Sequence, residues 1–168
     1  MLNYENILLW RHADALQCSS SEDNDMERPL SPKGNQQALK MAHWLNKNIP
    51  IETTILCSSA LRALQTVQAL NREYLILETL APDAKITSVI KALILLNKNK
   101  DVTNNLLIIG HQPWIGLLAA HLLSIPKALP NNAHEIIIKK GAVWWFSHTT
   151  SEICLPFKLL TVQTPSLL

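Results

Sequence analysis

Two short runs of unbroken apolar residues, Ile7-Leu8-Leu9-Trp10 and Leu106-Leu107-Ile108-Ile109, narrow most what this chain can become. A strand with one wet face alternates apolar and polar side chains. A run without alternation is a strand covered on both faces, the kind found in parallel sheets between layers of helices. Thr53-Thr54-Ile55-Leu56-Cys57 reads as a third strand and Tyr74-Leu75-Ile76-Leu77 as a short fourth. Helical signals lie between them. Ser31 caps and Pro32 opens a helix carrying Ala38, Met41, Ala42 and Leu45 on its apolar face. Ser58-Ser59 are placed to cap a helix from Ala60 to Glu73, with Ala63, Val67 and Leu70 inward. Ile86, Val89, Ile90, Leu93 and Leu96 repeat at helical spacing, and Pro113 opens a Leu- and Ala-rich helix over Trp114 to Leu123. This alternation predicts an α/β fold: three layers, α/β/α, around a mostly parallel central sheet, in a single domain over 1–168.

Beyond Pro126 the pattern changes. A loop to Asn132 precedes two strand-like stretches, Glu135–Lys139 and Ala142–Phe146. A turn over Thr149–Glu152 then leads to a last strand, Leu155 to Val162. Strand alternation sends the rings of Trp144 and Trp145 to opposite faces, so the pair reads as core plus rim rather than as a stacking platform.

Each of the three main strands ends in groups suited to an oxyanion: Arg11-His12, Ser58-Ser59 followed by Arg62, and Gly110-His111. If the strands are parallel neighbours, these groups gather at one sheet edge, outside the carboxyl ends of the strands, beside two helix N-termini. Arginine is scarce, at positions 11, 28, 62 and 72. Arg62 falls in the first turn of its helix, where the macrodipole is already positive and a cation calls for a nearby anion. Arg28 lies in the polar loop Leu16–Leu30, held extended by Pro29, and alone reads as a solvated loop cation. His43 reads as a surface residue of the first helix.

The formal charge is only +2 and no basic run is present, which excludes a nucleic-acid footprint. No apolar run is long enough to span a membrane and no signal peptide is evident. Cys18, Cys57 and Cys154 are odd in number and far apart, so neither a disulfide framework nor a metal knuckle is expected. The expectation is a cytoplasmic protein with reduced thiols and neither metal nor cofactor.

Leu9-Trp10-Arg11-His12-Ala13-Asp14-Ala15, Ser58-Ser59-Ala60-Leu61-Arg62-Ala63-Leu64-Gln65-Thr66 and Ile109-Gly110-His111-Gln112-Pro113 resemble, in order and spacing, the three signature blocks of the histidine phosphatase (phosphoglycerate-mutase-like) superfamily. The Arg-His-Ala form of the first block and Arg28-Pro29-Leu30-Ser31 resemble its SixA branch of phosphohistidine phosphatases. Ala13 stands where the wider superfamily has glycine, and Ala60 where proline is frequent. The resemblance implies a phosphoglycerate-mutase-like fold and a metal-independent phosphatase. In it His12 is the nucleophile, Arg11, Arg62 and His111 hold the phosphoryl oxygens, and Arg28 is a further phosphate contact. Many members carry a carboxylic general acid. None is evident here; Glu78 and Asp83 are the nearest carboxylates. Expelling an alkoxide requires such an acid, whereas imidazole leaves readily. The expected substrate is therefore a phosphorylated histidine protein, such as a phosphotransfer domain. A small phosphorylated metabolite, or a non-catalytic phosphate-binding module, stand as alternatives.

Overall fold

The computed structural model describes residues 2–17, 24–98, 102–124, 136–149 and 157–168. Six strands form one sheet: β1 (Asn6–Arg11), β2 (Thr53–Cys57), β3 (Leu75–Ile76), β4 (Asn105–Gly110), β5 (Val143–His148) and β6 (Phe157–Gln163). Their spatial order is β3-β2-β4-β1-β5-β6. β3, β2, β4 and β1 run parallel, and β5 and β6 continue the sheet antiparallel. The helices are α1 (Pro32–Asn48), α2 (Leu61–Gln68), α3 (Ile86–Asn97) and α4 (Trp114–Leu122).

The unbroken apolar runs are explained by what covers them. Leu8, Trp10, Ile55, Cys57, Leu107 and Ile109 face α1 and α2, packing with Met41, Leu45, Ala63 and Val67. Ile7, Leu9, Leu56, Leu106 and Ile108 face the other way, against Val89 and Leu93 of α3 and Trp114, Leu118 and Leu122 of α4. β1 and β4 are thus buried on both sides and need no polar alternation. On β5, Trp144 packs with the α3/α4 layer and Trp145 with the α1/α2 layer, where it meets Trp44 edge-on at 6.3 Å. The three layers and the mostly parallel sheet are those anticipated.

Several boundaries differ. Glu135 lies outside the described residues, and 136–139 form no strand. Their carbonyls are used by side chains instead: Ile136 accepts from Gln112 Nε2 and Ile138 from Arg11 Nη1, each at 2.8 Å. α2 ends at Gln68 rather than Glu73, because Asn71 turns left-handed at φ 52°. Neither serine caps α2; Ala60 holds the cap position with no side-chain bond. The last strand is described over Phe157–Gln163; Leu155, where it was expected to start, lies outside the described residues. The centre of the 16–30 loop with Cys18, the 126–132 loop, Thr150–Glu152 and Cys154 lie outside the described residues.

Candidate active site

Sheet register builds the site. Arg11 pairs with Gly110, and Cys57 with Ile109. His12, His111 and Ser58 therefore emerge together just past the ends of β1, β4 and β2, at the carboxyl edge. The His12 and His111 rings stand 4.9 Å apart, tilted by 45°. Both are buried, at 5% and 2% exposure, as is Arg62 at 3%.

The turn after β1 is clamped on all sides. Ala13 N donates to Thr66 Oγ1 on α2. Asp14 is tied to α1: its N–H donates to Gln37 Oε1, its carboxylate accepts from Ser31 Oγ at 2.8 Å, and its carbonyl accepts from Ser31 N. Its other carboxylate oxygen accepts from Lys140 Nζ at 2.7 Å. Gly34 permits this approach, since a Cβ there would lie 1.8 Å from the Asp14 carbonyl oxygen. Gly141, at φ 75°, donates its N–H to the carbonyls of Arg11 and His12.

His12 Nδ1 lies 2.8 Å from the carbonyl oxygen of Ala13. A carbonyl only accepts, so Nδ1 carries the proton and Nε2 keeps its lone pair. The His12 pKa is pushed down to about 3, by burial first and then by Arg62, Arg11 and Lys140, against the opposing pull of the Ala13 carbonyl. Burial is the largest cause. His111 is pushed down to about 2 by burial, then by His12 and the arginines. Its Nε2 lies 2.8 Å from Ser58 Oγ, and its Nδ1 is buried without a hydrogen-bond partner among the described residues.

Arg11 is held by the Ile138 carbonyl through Nη1, while its Nε is buried without a hydrogen-bond partner among the described residues. Arg62 donates from Nη1 to the carbonyl of Asp25 at 2.6 Å and from Nη2 to its carboxylate at 2.9 Å. The other oxygen of that carboxylate accepts from Arg28 Nε at 2.7 Å, and Arg28 Nη1 reaches the Leu16 carbonyl. Arg28 is thus joined to Arg62 through Asp25 and is not a solvated loop cation.

Sequence reasoning placed Ser58 in this cluster, at the end of β2, and missed Asp25 and Lys140. Asp25 had one legible signal, its place three residues before Arg28 on a one-turn helix, Asp25–Glu27. Of the two roles read for Ser58, helix cap and strand-end polar group, only the second holds: its Oγ meets His111 and does not cap α2. Ser59, beside it, donates to Glu78 Oε2 at 2.7 Å, so Glu78 sits at the rim beside the end of β2. Asp83 is an exposed turn residue; His43 is exposed on α1. Chemically, a neutral imidazole with a free nitrogen beside guanidinium groups can attack a phosphorus atom and hold the oxygens around it.

Comparison with known proteins agrees with this geometry. Residues 7–81 match the model of the histidine phosphatase superfamily (branch 1). An uncharacterized protein of Mycobacterium tuberculosis is 34% identical over 120 residues, 68% of this chain and 70% of that protein. The tungstate complex of the protein histidine phosphatase SixA superposes with a TM-score of 0.72 at 25% identity, covering 96% of this chain and 98% of that one. The α-ribazole phosphatase of Shigella flexneri shares the fold, with a TM-score of 0.70, 16% identity and 95% and 96% coverage. Among the described residues, no helix is long and apolar enough to cross a membrane.

Proposed function

The chain belongs to the histidine phosphatase superfamily and is a phosphatase of that class; on that premise we propose that it works through a phosphohistidine formed on His12 and that its substrate is a phosphohistidine carried by another protein. The observation that carries the reading is the 2.8 Å contact between His12 Nδ1 and the Ala13 carbonyl, which leaves Nε2 as the nucleophile in a buried, cation-lined site.

In the first step the Nε2 lone pair attacks phosphorus in line with the leaving group. The bond to the leaving imidazole, which carries a proton on its other nitrogen, breaks, its electron pair going with the ring as neutral imidazole, while Arg11, Arg62 and His111 hold the equatorial oxygens. In the second, water attacks the phosphohistidine, the P–Nε2 bond breaks, and inorganic phosphate leaves a neutral His12. Guanidinium groups supply the positive charge that the transition state requires, so turnover should persist in EDTA. Arg28 joins the clamp from the loop side. Imidazole needs little protonic help to leave, which suits a site whose nearest candidate acid, Glu78, is an exposed carboxylate bonded to Ser59. We infer a cytoplasmic setting, where phosphotransfer domains act.

A second reading, a phosphatase of a small phosphorylated metabolite, draws on that same Glu78, which would protonate an alkoxide. One experiment separates them: a panel of phosphorylated histidine domains and small phosphomonoesters, run in EDTA, with acid-labile radiolabel trapped on the enzyme. Faster clearance of the histidine domain, with label on His12, is the expected result. Faster clearance of sugar phosphates, or no acid-labile label, overturns the reading.

A further inference from the structure

Arg62 presents a physical problem that the proposed chemistry leaves open. It is 3% exposed, it occupies the positive end of α2, and its charge acts on the buried His12. A guanidinium in such a place needs a fixed counter-charge, or it will turn away from the site whenever no phosphoryl group is bound. Asp25 supplies one. It meets Arg62 twice, through its carbonyl at 2.6 Å and its carboxylate at 2.9 Å, and it meets Arg28 through the remaining carboxylate oxygen at 2.7 Å. Three acceptors of a single residue thus fix two arginines that come from different segments of the chain. The Asp25 side chain is itself half exposed, at 53%, so it contributes little to the core.

We propose that Asp25 is a positioning residue of the phosphoryl clamp, holding Arg62 in register with His12 and coupling Arg28 to it, so that both guanidinium groups meet the substrate already aimed. The inference rests on the phosphatase reading above and deepens it. Its physical content is preorganisation: donors fixed beforehand need not be gathered when charge develops on the phosphoryl oxygens. Three guanidinium groups less one carboxylate also leave the clamp with a net charge that balances a phosphoryl dianion.

The proposal makes an anion site weaker when a negative charge is taken away, which simple Coulomb attraction would reverse. Asp25→Ala should weaken tungstate binding, measured calorimetrically, by about tenfold or more. It should lower kcat by a larger factor than it raises KM, because the lost alignment counts most in the transition state. Asp25→Glu should recover part of both, and Asp25→Asn, which keeps the shape and one acceptor oxygen, should fall between. In an Arg62→Ala background the effect of Asp25→Ala should shrink severalfold, to the share that runs through Arg28. Tungstate bound as tightly as in the wild type, or more tightly, overturns the proposal; so does an undiminished effect of Asp25→Ala in the Arg62→Ala background. Trapping of label on His12 in the wild type tests the phosphatase reading separately and does not depend on Asp25.

Discussion

The two site histidines should make the folded protein sensitive to mild acid, and the size of the effect follows from their burial. His12 is held down to about 3 and His111 to about 2, against about 6.5 for a free histidine. Folded, both rings stay neutral through the mildly acidic range; unfolded, both take up a proton below about pH 6.5. The unfolded state then binds more protons, and stability falls as pH falls. The contribution of the neutral rings is complete above the unfolded value and is lost progressively below it, down to the folded values. At pH 5, each ring should remove about 2 kcal/mol relative to pH 7.5, so the pair removes about 4 kcal/mol, a large share of a typical domain's stability. Below pH 6 the slope approaches about 2.7 kcal/mol per pH unit for two protons. Urea unfolding at half-unit steps from pH 7.5 to 5, by circular dichroism, measures this directly. His111→Gln should halve the dependence, and a His12→Gln, His111→Gln double variant should remove the share assigned to these rings. A wild type equally stable at pH 7.5 and 5, or a double variant with an unchanged slope, would refute the reasoning. The same neutrality keeps Nε2 of His12 nucleophilic.

His12→Ala should reduce turnover by a factor on the order of 10⁴ or more while tungstate still binds, because the arginines remain; wild-type-like turnover would sink the assignment of the nucleophile. Arg62→Ala should lower kcat by roughly 10²- to 10³-fold and weaken tungstate binding with it, as steady-state kinetics and calorimetry would show. Gly34→Ala sets helix propensity, which favours alanine by about 1 kcal/mol, against a Cβ placed 1.8 Å from the Asp14 carbonyl oxygen. Overpacking of this kind costs about 1–3 kcal/mol and here meets backbone, so Tm should fall by several degrees in a thermal melt; an unchanged or higher Tm would contradict the packing of α1 on the turn after β1.

What could be read from the sequence and what could not divide along a physical line. β1, β2 and β4 end where their apolar runs end, so the groups just past them were legible, and the rule that ligands gather at the carboxyl edge of parallel strands brought His12, Arg62 and His111 to one place. Asp25 and Lys140 carry no periodic signal; each acquires its meaning only when the chain closes and a distant partner, Arg62 or Asp14, comes within hydrogen-bond reach. Residues 136–139 failed for the opposite reason. Three consecutive isoleucines have strand propensity, but a strand needs a neighbour's backbone, and the carbonyls of Ile136 and Ile138 are instead spent on Gln112 and Arg11. Ser58 and Ser59 were diverted similarly, from a local cap to His111 and Glu78.

The register of the sheet is the step on which the whole site turns. With Arg11 opposite Gly110, His12 emerges beside His111, and their tilted rings meet at 4.9 Å. A one-residue slip between β1 and β4 would carry Leu9 and Trp10 to the wrong layers, because side chains alternate with a period of two. Trp10 is buried among the α1/α2 contacts and donates its indole N–H to the Gly141 carbonyl, while Gly141 in turn donates to Arg11 and His12. On β4, a Cβ at Gly110 would strike the ring of Trp114 at 2.1 Å, and that ring is pinned by its own N–H to the Ala81 carbonyl. The residues that fix register are thus the immediate neighbours of the two histidines, and a slip that misplaced the chemistry would first have to expel two buried tryptophans from the core.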